Sequence, residues 1–264
     1  MNKIGFLFPI LFILMFTLIT PRVFAGAMSP STMVLMGGAI LVVMMLFRPK
    51  KAATKTAQAV ADEIMDDFSA DAFDGDEVLR KKFYAALSDL GGNMPKGAVS
   101  KLQKLAPLCT GKKEQYAVAM ATALCWKKQN NHKNAVREYN KAVIIHPSAS
   151  LAFTIGDCYQ RLGELDKARD SYEFAQELEP GNAKYPSCIA TTYVGDGNYN
   201  AAMDYAAEAL DLDETYAQAL ATMAICHGMQ DDALMHRHYL KLAADNGYSE
   251  QKILDTVKAL KKRQ

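Results

Sequence analysis

The sequence lacks the signatures of a catalyst. Across 264 residues there is no P-loop, no GxGxxG, no GxSxG and no HExxH, so neither a phosphate-cradling loop nor a nucleophile elbow or zinc helix is present. Five cysteines are scattered without a CxxC pair, which excludes a zinc knuckle or a rubredoxin-like metal tail and does not form a disulfide framework. They read as reduced, buried thiols of a cytosol-like compartment. Charge of one sign is missing too: 30 basic residues face 29 acidic ones, a net charge of +1. A nucleic-acid binder neutralises many phosphates and would show a basic excess, so nucleic acid is not expected as a partner. What is present is apolar material, half of all residues, enough to exclude global disorder.

That material is unevenly spread. Ile4 to Ile19 and Met33 to Phe47 are two runs without a charged side chain. Residues 1–25 read as a signal peptide ending Val23-Phe24-Ala25 or as a first transmembrane helix, and residues 31–47 as a transmembrane helix. Arg48, Lys50, Lys51 and Lys55 follow the second run, whereas Arg22 alone separates the two. The positive-inside rule then puts residue 48 onward on the cytoplasmic side of a plasma or inner membrane. The alternative is an exported repeat domain, acting as a periplasmic or cell-surface assembly factor.

Residues 48–75 are expected to form an acidic juxtamembrane linker, read as a solvated spacer with an acidic docking segment as the alternative. Asp62, Glu63, Asp66, Asp67, Asp71 and Asp74 crowd it, and Asp76 and Glu77 follow. Ala59, Val60, Ile64, Met65 and Phe68 have roughly helical spacing, so a short amphipathic helix opens it. The Asp71 to Glu77 stretch does not have the register of a calcium loop, since the end ligand positions fall on Ala70 and Lys81. Residues 76–112 read as two helices around Gly91-Gly92-Asn93, a helical cap or divergent repeat.

From residue 113 the chain is periodic. The unit Ala149 to Asn182 places Ala152, Ile155, Gly156, Tyr159, Ala168, Tyr172, Ala175 and Pro180 at fixed offsets. Trp126, Ala135, Tyr139, Ala142 and Pro147 precede their counterparts by 33 residues; Tyr193, Ala202, Ala206 and Ala209 follow theirs by 34. His227 and Ala243 continue the series, with His236 in an alanine slot and a one-residue deletion expected near Asp231-Asp232-Ala233. The small residues let paired helices approach, Tyr159 and Tyr172 fill the wedges between pairs, and each proline ends a second helix. Asn134 and Asp166 lie near second-helix starts, where a side-chain acceptor caps. This pattern resembles the tetratricopeptide repeat, W-x2-L-G-x2-Y, then A-x3-F, then P. The implied fold is all-α: a solenoid of four helical hairpins over residues 113–264, closed by a capping helix at 249–263 and preceded by one or two transmembrane helices.

The resemblance also implies the function class, a scaffold that binds a protein or peptide segment in its concave groove, with no catalytic, metal or cofactor site. An enzyme would need a further domain, and no segment outside the repeats is long enough. Cys125, Cys158 and Cys226 recur at one packing slot, His227 reads as a packed core histidine, and His236 and His238 are too far apart around a helix to share a metal. Mapped onto this chain, the family's groove positions include Met120, Leu124, Lys127, Phe153, Asp157, Gln160, Arg161, Lys184, Ser187 and Thr191. Met120, Leu124 and Thr154 stand where the carboxylate-clamping members carry Lys, Asn and Asn, so a segment with apolar anchors fits better than an acidic tail. Phe153 is its expected anchor.

Overall fold

The structure, a computed structural model, describes residues 50–263, whose regular elements are all helices, joined by turns and short irregular links. Both apolar runs lie outside the described residues, and among the described residues no helix is long and apolar enough to cross a membrane. From Ala53 onward the chain forms one compact unit. Among the described residues the twelve α-helices are α1 (Lys50–Ile64), the pair α2 (Glu77–Gly91) and α3 (Pro95–Leu105), then four hairpins and a final helix. The hairpins are α4 (Lys112–Lys128) with α5 (His132–Ile145), α6 (Ala149–Leu162) with α7 (Leu165–Leu178), α8 (Lys184–Asp196) with α9 (Tyr199–Leu212), and α10 (Ala217–Met229) with α11 (Ala233–Asp245); α12 (Glu250–Lys261) follows.

The hairpins close because small residues fall where helices cross. Ala135, Ala168 and Ala202 are fully buried, as are Ala142, Ala175, Ala209 and Ala243. A Cβ at Gly156 would sit 2.5 Å from the ring of Tyr172, so only glycine admits that ring. Each turn within a hairpin passes through the left-handed region: Asn130 and Asp231 with φ 55° and 61°, Gly163 and Gly197 with φ 76°. Glycine and the short polar residues are those that tolerate it.

Three expectations are corrected here. The second helices are capped one turn earlier than expected: Asn131, Asn198 and Asp232 accept from the backbone amides of Asn134, Ala201 and Met235. Asn134 is the donor and not the cap, and Asp166 lies in the first turn of α7, where its charge suits the helix dipole and pairs with Arg169. Tyr172 is fully enclosed at 1% exposure, whereas Tyr159 is only half-buried and lies beside the Lys167 ammonium. The fourth hairpin needs no deletion. Its turn at Asp231 and its buried Ala243 keep the 34-residue spacing from Gly197 and Ala209. His236 fits the alanine slot because its Nδ1 lies 2.8 Å from the Ala224 carbonyl and Gly228 opposite leaves room for the ring.

The cysteines pack as expected. All five are buried, and burial pushes their thiols up to about 12 at Cys125 and Cys226 and about 11 at Cys109, Cys158 and Cys188. Such thiols are poor nucleophiles. His227 is half-buried and stacks on Tyr239 at 5.5 Å.

The acidic stretch is where sequence and structure differ most. Ala57, Val60, Ala61 and Ile64 on α1, together with Ala72 and Phe73 after it, are buried in the same core as Phe83, Leu87 and Leu124. Far from being a solvated spacer, residues 57–73 are packed against the start of the array. Their apolar residues recur at i, i+3, i+4 and i+7, the spacing that puts one stripe on one side of a helix; the carboxylates occupy the other sides.

Candidate functional site

The array has two different faces. One is built by the first helices of the hairpins, linked from repeat to repeat by Lys127–Asp157 (3.8 Å), Gln160–Thr191 (3.4 Å) and Gln218–Cys188 (3.9 Å). The other is built by the second helices, linked by Gln176–Glu208 and Glu173–Tyr205. All ten expected groove residues lie on the first helices, and the structure gathers most of them into three groups.

The central group surrounds Phe153. Its ring is half-buried, 5.5 Å from the Tyr172 ring and 6.1 Å from that of Tyr185. The Lys184 ammonium, one repeat on in α8, stands 3.5 Å over its centre, close enough for the ring quadrupole to attract it. Next to this lies Asp157, which receives the Arg161 guanidinium at 3.2 Å and the Lys127 ammonium at 3.8 Å. One carboxylate is therefore met by two cations, and with Lys184 the middle of the face carries a local excess of positive charge. The third group is a hydrogen-bond relay: Tyr172 Oη donates to Gln160 Oε1 at 3.0 Å, Gln160 Nε2 donates to Thr191 Oγ1, and Thr191 donates to the Cys188 carbonyl at 2.8 Å. That relay ties the face to the core tyrosine.

Ser187 sits apart from these groups. It is fully buried, its Oγ has no hydrogen-bond partner, and as it stands it supports helix packing more than contact with a ligand. Met120 and Leu124 belong to the first repeat, and there the face is not open. Glu63, Ile64, Met65 and Asp66 of the acidic stretch lie across it, walling a cleft of about 240 Å³ with Met120, Leu124, Lys127 and Thr154.

Sequence reasoning missed four contributors. Tyr116 Oη donates to Asp66 at 2.7 Å, Lys113 pairs with Asp71 at 2.7 Å, and Phe68 stacks on His146 at 4.3 Å. His132 lies near Arg161 and Asp157 with a buried, unpartnered Nδ1; burial first, and Arg161 second, push its pKa down. Burial opposes ionisation of Asp66, but hydrogen bonds from Tyr116 and Ser69 outweigh it and hold the carboxyl below 3.8; the hydrogen bond from Lys113 does the same for Asp71. Folded values below the unfolded ones mean that both ties are present above about pH 3.8 and are lost as the pH falls through the lowered values. Among the described residues no group of three or more His, Cys, Asp or Glu side chains could hold a metal ion.

Comparison with known proteins agrees with this architecture. The tetratricopeptide-repeat family model matches residues 149–182 and 189–216. A tetratricopeptide-repeat protein from Parabacteroides merdae ATCC 43184 superposes with a TM-score of 0.60 at 16% identity, covering 69% of this chain and 72% of that one. YrrB, described as a TPR protein with an unusual peptide-binding site, gives 0.56 at 15% identity over 73% of this chain and 98% of its own. MamA from Desulfovibrio magneticus RS-1 gives 0.52 at 16% identity, with 71% and 97% covered. No curated protein matches the chain in sequence. At these identities the likeness is one of fold.

Proposed function

We propose that this chain, whose fold is that of the tetratricopeptide-repeat proteins, is a membrane-anchored adaptor that holds an extended or helical segment of a partner protein on its first-helix face. The observation that carries the reading is Phe153 with the Lys184 ammonium over its ring, beside an aspartate bridged by two cations. An aromatic surface next to fixed charges gives a partner both an apolar anchor and a polarity, which is how most interfaces concentrate their affinity. YrrB, of the same fold, is described as having a peptide-binding site, which supports the class. Lys184 stands over the anchor, and Gln160, bonded to Thr191 and to the Tyr172 hydroxyl, is tied to the ring beside it, while Ser187 is buried. Phe153→Ala should weaken partner binding by about 10- to 100-fold, or roughly 1–3 kcal/mol, while helicity by circular dichroism stays near that of the parent chain.

The anchor itself rests on the two apolar runs and on the four basic residues after the second, and these favour a cytoplasmic array over an exported one. All five native cysteines are buried, so topology is best read from an introduced one. Glu214 is exposed in the turn between α9 and α10. A Glu214→Cys chain should resist an impermeant maleimide on intact cells and label once they are permeabilised; labelling of intact cells would assign the array to the outside.

A further inference from the structure

The first repeat presents the same kind of face as the second, but the chain's own residues 63–73 lie over it. Four observations show how. Ile64 is buried and Met65 half-buried against the first-helix side of α4. Phe68 lies flat on His146 and edge-on to Tyr116 at 5.5 Å, with the Lys113 ammonium 6.0 Å from its centre. Tyr116 donates to Asp66, and Lys113 pairs with Asp71. Phe73 stacks on Phe83 at 4.5 Å and pins the far end. Between Met65 and Asp76 the backbone is a series of turns, without a helical ladder of its own to hold it.

The fit is incomplete. A cleft of about 240 Å³, open to solvent, remains between Glu63–Asp66 and the residues Met120, Leu124, Lys127 and Thr154, so the strap does not cover these residues completely. The polar ties include an exposed ion pair, a kind of contact that adds little to stability. Residues 63–73 carry four carboxylates and no basic residue, and the surface beneath them carries Lys113 and Lys127, so the two are complementary in charge. Lys127, which lines the cleft, also pairs with Asp157 of the second repeat.

From this we infer that the face of the first repeat formed by Lys113, Tyr116, Met120, Leu124 and His146 is a docking surface for an acidic partner segment with an aromatic anchor. The chain's own Asp66–Phe73 strap is its resident competitor. The inference rests on the first-helix face being the working surface. It adds the chemistry of the segment that binds there and a step in which the strap must leave. A partner with a bulkier apolar side chain beside Met120 and Leu124 fills the cleft that the strap leaves open, and so displaces it.

The test uses the full chain in detergent and, as probe, a fluorescently labelled peptide with the sequence of residues 57–76. Asp66→Ala with Asp71→Ala removes the polar ties of the strap and leaves the face intact. This variant should bind the peptide at least ten-fold more tightly than the parent chain by fluorescence anisotropy. Phe68→Ala is the second variant, and it should show the same gain; it guards against loss of fold in the first, checked by circular dichroism. Equal binding by parent and variants, or none by any of them, would overturn the inference. A concentration-dependent increase in mass of the variants without peptide binding would also overturn it, since the surface would then belong to a second copy of the chain. Phe153→Ala separates this inference from the proposed function: it should weaken the partner and leave the strap peptide's binding unchanged.

Discussion

Tyr172→Ala should lower the stability of the array by about 3–5 kcal/mol, the range for emptying a buried aromatic site. The ring is 1% exposed, lies against Gly156 where no side chain could stand, and packs with Phe153, Ala168 and Ile189. Gly156 and Ala168 beside it are too small to refill the space. Tyr172→Phe keeps the ring and loses only the hydrogen bond to Gln160, at a cost of about 1 kcal/mol. Tyr159→Ala should fall between the two, since that ring is half-exposed and leans on a lysine. Chemical denaturation of the three variants gives the order directly. A Tyr159→Ala loss equal to that of Tyr172→Ala would mean that the first-helix slot, and not the second-helix slot, is the centre of the hairpin.

Deletion of residues 249–264 should have the next largest effect. Ile253 is fully buried, and Val257 and Leu260 pack beside it on the fourth hairpin. Gly228 and His236 lie directly beneath, and a Cβ at Gly228 would meet both the His236 ring and Val257. Removing α12 takes Ile253, Val257 and Leu260 out of the cluster that holds Ile225, Met229 and Leu240, and a repeat depends on its neighbour for burial. The loss of Ile253 alone is worth about 1.5–3 kcal/mol, so the thermal midpoint should fall on the order of 5–10 °C. An unchanged melting curve would show that α12 does not act as a cap.

How much of this was legible in the sequence varies by element. The hairpins were, because alanine, glycine and tyrosine at fixed offsets have a single geometric use, namely close helix approach. The caps were off by one turn because Asn131 and Asn134 are both good acceptors; only the backbone shows which amide is free. The fourth hairpin looked broken because His236 is large for its slot, and the compensation by Gly228 lies on another helix, eight residues earlier. The acidic strap was the main misreading. Its carboxylates outweighed the stripe Ala57, Val60, Ala61 and Ile64, although that spacing was present, and no composition rule reveals that Asp66 and Asp71 find Tyr116 and Lys113. For the candidate site, Phe153 and its charged neighbours were legible as positions on the first helices. The cation over Phe153 and the covering of Met120 and Leu124 depend on tertiary contacts.

The central claim is that the first-helix face does the work. It is tested most directly by partner affinity across two substitutions on opposite faces, Phe153→Ala on the first and Ile144→Ala on the second, where Ile144 is 82% exposed. The account predicts a 10- to 100-fold loss for Phe153→Ala and no change for Ile144→Ala, with both chains fully helical. Full affinity in Phe153→Ala together with a loss in Ile144→Ala would contradict it and move the site to the second-helix face.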